Sequence, residues 1–361
     1  MANNGVPGQL PIHSNPDVGS FDIVATYHRL LADDPGLTKP MATIEALIEA
    51  LGASSATTVF ETMKLVEAQS DRLRQSPLVA NPMAVRHGSD FFKQYLVREL
   101  RQLPSSGGAA ASSSGTRNED QQFEVIRQHL LRNGRLFATR AKEAREKIAS
   151  EGRYLIPENS IILTHGGSRV VSTLLERAVE RVNGDPPRRF KVIYAISERR
   201  ETESNAAVAA LRAKGISVAT IPEGGVAHIM AKVDMVLVGA EVITAQGGII
   251  SQLGTYQVAK LAKLDGKPFY VAAEQHKIGQ TFPVDQFTFF GGRYRQNILD
   301  FQSSNGSTTT SEPEDEKQAR EVRAIAPLDY TPPDLITSFI CDHGIKSTVA
   351  MEHQVIDMFV G

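Results

Sequence analysis

SIILTHGGSRVVSTLLERAVERV, residues 160–182, decides the fold of this chain. A short apolar run rich in Ile and Leu meets a Gly-Gly turn. A run with apolar residues at helical spacing follows it. The same alternation continues downstream. FKVIYAIS (190–197), SVATIP (217–222), DMVLVGA (234–240) and PFYVAAE (268–274) read as strands. NAAVAALRAKG (205–215), AHIMAKV (227–233) and GTYQVAKLAKLDG (254–266) read as the crossover helices between them. The strands are nearly continuous in apolar character, as strands covered on both faces must be. Regular strand–helix alternation predicts an α/β fold, with a Rossmann-like doubly wound parallel sheet over residues 153–361.

Upstream the periodicity is helical. In FDIVATYHRLLADD, Ile23, Tyr27, Leu30 and Leu31 fall on one face. In MATIEALIEALG, Met41, Ile44, Leu47, Ile48 and Leu51 do the same, with Gly52 as the expected C-cap. Ser54 to Thr58 offers N-caps for a third helix. The charges of the helical run over 121–152 read as a solvated face. These runs form a helical domain over 21–152, preceded by a polar tail over 1–20 that reads as flexible. PSSGGAAASSSGTRNED (104–120) and SSNGSTTTSEPEDEKQAR (303–320) read as disordered insertions.

Composition narrows the function. With 361 residues, two domains are expected. Thirty-nine basic and 41 acidic residues give a net charge of -2, which offers no footprint for nucleic acid and no polybasic signature for a membrane. A single cysteine, Cys341, allows no intramolecular disulfide and no cysteine-based zinc site, and is compatible with a reducing cytosol. The histidines are scattered without paired ligand spacing, so no metal site is expected.

Ligands of open parallel sheets bind beyond the carboxyl ends of the strands, and three loops qualify there. Thr164-His165-Gly166-Gly167-Ser168-Arg169 joins a strand to a helix, where backbone N–H groups can hold an anion, although taken alone Gly166-Gly167 reads as a tight turn and nothing more. It lacks the dinucleotide fingerprint and the lysine of a nucleoside-triphosphate loop. Ser197 to Glu203 carries Glu198 and Arg200, the latter suited to bidentate phosphate contact, and the same charges read equally well as local salt bridges on the surface. Gly239-Ala240-Glu241 places a carboxylate after a buried strand, in the position of a general base. Gly248, Ser251, Gln252, Gly254 and Thr255 follow it before a helix.

ILTHGGSRVVSTLLERA and VGAEVITAQGGIISQLGTYQVAKLAKLDGKPFYVAAEQHK, together with the tail PLDYTPPDLIT, resemble the alpha-subunit family of eukaryotic translation initiation factor 2B. The wider superfamily includes the beta and delta subunits and the isomerases of methylthioribose 1-phosphate and ribose 1,5-bisphosphate. In those isomerases the first loop carries a catalytic cysteine within THC, where this chain has Gly166. Their VGAD aspartate matches Glu241. Glycine can neither move a proton nor act at a carbonyl, so the resemblance implies no catalytic residue and no cofactor, only a retained pocket for a sugar phosphate or nucleoside monophosphate. Relatives often read NKIG where this chain reads Ser251-Gln252-Leu253-Gly254, a loss of one lysine.

The resemblance further implies a regulatory subunit of the guanine nucleotide exchange factor for initiation factor 2, acting in the cytosol. It would form a homodimer, bridge the beta, gamma, delta and epsilon subunits into a decamer, and help sense the phosphorylated alpha subunit of initiation factor 2. The sensing surface is expected near Thr57, Thr58 and Glu61 and near Phe359, although one of the two threonines also reads as a helix N-cap. The alternatives are a sugar-phosphate isomerase, disfavoured by Gly166, and the beta subunit of the same factor, against which the THGGSRVV loop speaks.

Overall fold

A computed structural model describes residues 21–34, 36–56, 58–79, 82–101, 128, 139–181, 184–286 and 328–360. The N-terminal tail and both insertions lie outside the described residues.

The chain begins with helices. In α1 (Ile23–Asp33), Asp22 accepts N-cap hydrogen bonds from the amides of Val24 and Ala25, and Ile23 and Tyr27 are buried. α2 (Lys39–Gly52) starts with proline in its first turn and is buried along most of its length, so it forms the centre of the bundle. α3 (Val59–Gln75) opens on a reciprocal capping box between Thr58 and Glu61. α4 (Pro82–Arg101) and the helical residues 139–152, here α5, complete this half. Met41, Ile44, Leu47, Val66, Phe92 and Leu96 pack at its core.

The second half is built on a seven-stranded sheet, in the order β10-β9-β7-β4-β1-β2-β3. Its members are β1 (Ser160–His165), β2 (Phe190–Ile196), β3 (Ser217–Pro222), β4 (Met235–Gly239), β7 (Phe269–Ala272), β9 (Ser338–Cys341) and β10 (Gly344–Lys346). All pairings are parallel except the final β9–β10 hairpin. The five strands read from sequence all form within a residue or two of their expected ends. Successive side chains on a strand point to opposite faces. Ile162, Met235 and Leu237 therefore pack on one face against α6 (Arg169–Ala178) and α7 (Glu201–Ala213). Leu163, Val236 and Val238 pack on the other against α8 (Val226–Ile229), α9 (Thr255–Leu264) and α10 (Thr348–Val360).

Gly52, expected as a C-cap, lies within α2, which Ala53 caps, and AHIMAKV forms only the short α8 and a 3-10 turn over Met230–Lys232. Two further elements differ from the sequence reading. β3 is an edge strand with most side chains exposed, not one covered on both faces, because it pairs with β2 alone. GGIISQ, read as loop, contains β6 (Ile249–Gln252), which pairs antiparallel with β5 (Val242–Ile243) and β8 (Leu328–Thr331) in a separate three-stranded sheet. Ile249 and Ile250 are both buried, so no polar/apolar alternation marked the strand.

The two halves meet through polar contacts that are themselves buried. Thr38 Oγ1 lies 3.1 Å from His276 Nε2, and Thr281 Oγ1 lies 3.2 Å from His87 Nε2. Each pair joins a helical-domain residue to one from the α/β half. Burial holds both imidazoles well below the ordinary value, to about 3 for His87 and about 4 for His276.

Candidate functional site

The sheet reverses its winding between β1 and β4. The chain steps outward from β1 to β2 and β3, then crosses back to lay β4 on the other side. The two loops leaving β1 and β4 must diverge there, which opens a crevice. Gly166-Gly167 leaves β1 and Glu241 follows β4. Gly166 has φ +88°, a conformation that disfavours any side chain. Ser168 caps α6 by accepting from the Val171 amide at 3.5 Å. A Cβ on Gly239 would lie 2.1 Å from Ser168 Oγ, so only glycine lets the β1 loop pack onto the end of β4.

The crevice is strongly basic. Burial pushes the Glu241 carboxyl up, yet Lys39, Lys277, Arg200 and Arg169 outweigh it and hold the group below its ordinary value. Glu274, almost fully buried beyond β7, is likewise resisted by burial but held down to about 2, chiefly by Lys277. Lys277 Nζ lies 2.9 Å from Glu274 Oε2, and Arg145 Nε lies 3.6 Å from Oε1. Arg169 is pushed down by burial and by Arg145, and its Nη1 donates to the Leu37 carbonyl at 2.9 Å. Arg200 is paired with Glu203, whose side chain is 61% exposed on the rim. Five cations thus meet Glu241 and Glu274, an excess of three charges, or two with Glu203 included; Asp34, which also acts on Arg169, is balanced by Lys142 at 2.7 Å. Such an excess, with glycine amides nearby, suits a compact dianion such as a phosphate monoester.

The sequence-selected residues separate into three groups. Gly166, Gly167, Ser168, Arg169, Arg200 and Glu241 converge on the crevice. Gln252 joins them, since its Oε1 lies 3.4 Å from where a Gly166 Cβ would stand. His165, Gly254 and Thr255 lie behind it. His165 Nε2 is 2.6 Å from Glu223 Oε1, and its Nδ1 is 3.3 Å from Thr255 Oγ1. The amides of Gly254 and Tyr256 donate to Asp329 Oδ2 at 2.8 and 2.9 Å, so the start of α9 is capped from within. Ser251 is buried in β6 and donates to the Gly239 carbonyl at 3.3 Å. Glu198 is exposed, and Gly248 sits in the β5–β6 turn against Tyr330 and Thr331.

Sequence reasoning missed Lys39, Arg145, Glu274 and Lys277. Glu274-Gln275-His276-Lys277 stands directly after β7, so the same strand-end rule would have reached it. Arg145 was grouped with a solvated face. Most charges of α5 are exposed as expected, but the Arg145 side chain is only 12% exposed and turns into the crevice. Lys39 comes from the other domain, and nothing in its local sequence marks it. On the helical surface, Thr58 Oγ1 accepts from the Glu61 amide at 3.2 Å, and Glu61 accepts from the Thr58 amide at 3.3 Å. Phe60 beside them is 74% exposed, with Lys64 Nζ 5.9 Å from its ring centroid. Thr57 and the Phe359 side chain lie outside the described residues. Cys341 is buried in β9, and burial pushes its thiol up.

Comparison with known proteins agrees with this architecture. The "Translation initiation factor eIF2B subunit alpha" of Dictyostelium discoideum is 29% identical, over 94% of this chain and 97% of its own length. A ribose 1,5-bisphosphate isomerase of Archaeoglobus fulgidus is 35% identical over 45% of this chain and 50% of its own. Among solved structures, the tetrameric eIF2B-beta2-delta2 complex from C. thermophilum matches with a TM-score of 0.66 at 17% identity, covering 93% of this chain and 94% of that one, and so shares the fold. The profile of the Initiation factor 2 subunit family matches residues 35–348, from the second helix to the last. This chain belongs to the Initiation factor 2 subunit family.

Proposed function

We propose that this chain is a regulatory, non-catalytic subunit of the alpha type in the guanine nucleotide exchange factor for initiation factor 2. The observation that carries the reading is the full-length similarity to an alpha subunit, together with a glycine at position 166. The similarity to isomerases covers less, from about half of each chain for a ribose 1,5-bisphosphate isomerase to 63% of this chain and 65% of its own length for a methylthioribose-1-phosphate isomerase. In this proposal the protein works in the cytosol as a homodimer that bridges two sets of beta, gamma, delta and epsilon subunits. The exposed Phe60 and its neighbours at the start of α3 meet the phosphorylated alpha subunit of initiation factor 2.

The crevice serves as a binding pocket for a sugar phosphate or nucleoside monophosphate. Its cations hold the phosphate, and Glu241 and Gln252 face the sugar as hydrogen-bonding groups. It works without a metal ion or bound cofactor of its own. The absence of a thiol at position 166 leaves the carbonyl chemistry of the isomerases without its partner to Glu241. Co-purification with the other four subunits, followed by native mass measurement, tests the assignment. A decamer containing two copies of this chain is expected. A monomer that associates with none of the subunits, or that turns over ribose 1,5-bisphosphate, overturns it.

A further inference from the structure

Behind the crevice lies a cluster that the binding role does not use. Asp329, on β8, is 5% exposed. Its Oδ2 accepts from the Gly254 and Tyr256 amides, while its Oδ1 is buried without a hydrogen-bond partner among the described residues. The helix turn it caps carries Thr255, whose hydroxyl meets His165 Nδ1. His165 is the last residue of β1, directly before Gly166-Gly167. Its other nitrogen meets Glu223, from the segment after β3. A continuous chain of polar contacts therefore runs from Asp329 through the first turn of α9 and His165 to the pocket loop.

We infer that Asp329 is a positioning residue whose protonation state sets the β1–α6 loop, so that anion binding in the crevice depends on pH. The inference rests on the pocket reading above for its functional half. Of the groups facing Asp329, Glu223 comes from the β3–α8 segment, His165 from β1 by way of Thr255, and Tyr256 with its stacked Lys260 from α9. β6 presents only the uncharged Ser251 and Gln252. Burial pushes the Asp329 carboxyl up to about 7, against the pull of the two amides, and Glu223 adds to the rise. Ionisation places a new negative charge at the rear of an anion pocket. It weakens anion binding, and by linkage a bound anion favours the protonated carboxyl.

Sulfate is the suitable probe, because its charge does not change between pH 5.5 and 8.5. Sulfate affinity of the full chain, measured by calorimetry over that range, is expected to fall several-fold with a midpoint near 7. Asp329→Asn keeps an acceptor for the two amides and should remove the pH dependence. Glu223→Gln should move the midpoint to lower pH. Selective carboxyl 13C labelling follows Asp329 itself and does not depend on binding. A carboxyl that titrates near neutrality while sulfate affinity stays flat refutes the coupling. A carboxyl ionised throughout, or a midpoint unchanged in Asp329→Asn, refutes the inference entirely. Failure of sulfate to bind at any pH, with Asp329 titrating as expected, overturns the pocket reading instead and the coupling with it.

Discussion

Gly166 differs from the matching isomerase position by more than a missing thiol. Its φ of +88° lies where an L-residue is strained, even though a Cβ there would meet Gln252 only at an ordinary contact distance. Restoring the cysteine therefore does not restore the isomerase arrangement. Gly166→Cys should cost about 1–2 kcal/mol of stability from the backbone alone, with no gain of turnover on ribose 1,5-bisphosphate. Urea denaturation and a coupled assay check the two halves, and measurable turnover would contradict this account. Arg200 is the complementary case. It is half-buried, its charge reaches Glu241, and its ion-pair partner Glu203 stands on the rim. Arg200→Ala should weaken adenosine 5′-monophosphate binding roughly tenfold by calorimetry, the loss of about 1.4 kcal/mol in one charge-assisted contact.

At the scale of elements, the start of α3 carries a helix cap and the proposed sensing surface, which separate variants can resolve. Thr58 and Glu61 satisfy each other's backbone amides, so Thr58→Ala should lower stability by about 1 kcal/mol and Thr58→Ser should leave it unchanged in thermal denaturation. Phe60 is exposed and takes no part in the cap. Phe60→Ala should leave the melting temperature in place while weakening the response to phosphorylated initiation factor 2. The same helix shows what sequence can and cannot convey. Capping chemistry is local, so an N-cap among Ser54 to Thr58 was legible, and Thr58 is the residue that takes it. The parallel strands were legible because each is an unbroken apolar run between turn signals. β6 was not, because its pairing partner β8 lies far along the chain, Ser251 standing opposite Asp329, and its four buried residues show no polar/apolar alternation. The glycine loops of the site were legible from the strand-end rule. Lys39 and Arg145 were not, because their role arises only when the helical half packs over the crevice.

That packing makes the whole molecule sensitive to acid. His87 and His276 are neutral in the folded protein, with values near 3 and 4, and approach about 6.5 when the chain unfolds. Their folded values are depressed, so their contribution is fully present above about pH 6.5 and is lost as pH falls toward 4. Glu274, held near 2, acts in the same direction below about pH 4.5. Asp329 has the opposite sign, since its raised value favours the folded state below about pH 4 and that advantage disappears as pH rises through 7. Melting temperatures measured from pH 4 to 8 should therefore fall on the acid side. Asp329→Asn should steepen that fall by removing the opposing term. The crevice and α3 belong to one packed unit, with Lys39 from α2 reaching Glu241 and α3 packed against α2. The most direct test of the regulatory assignment is the rate of nucleotide release from initiation factor 2, catalysed by the other four subunits with the phosphorylated factor present, before and after this chain is added. Release should slow markedly once the chain is present; an unchanged rate would contradict the assignment.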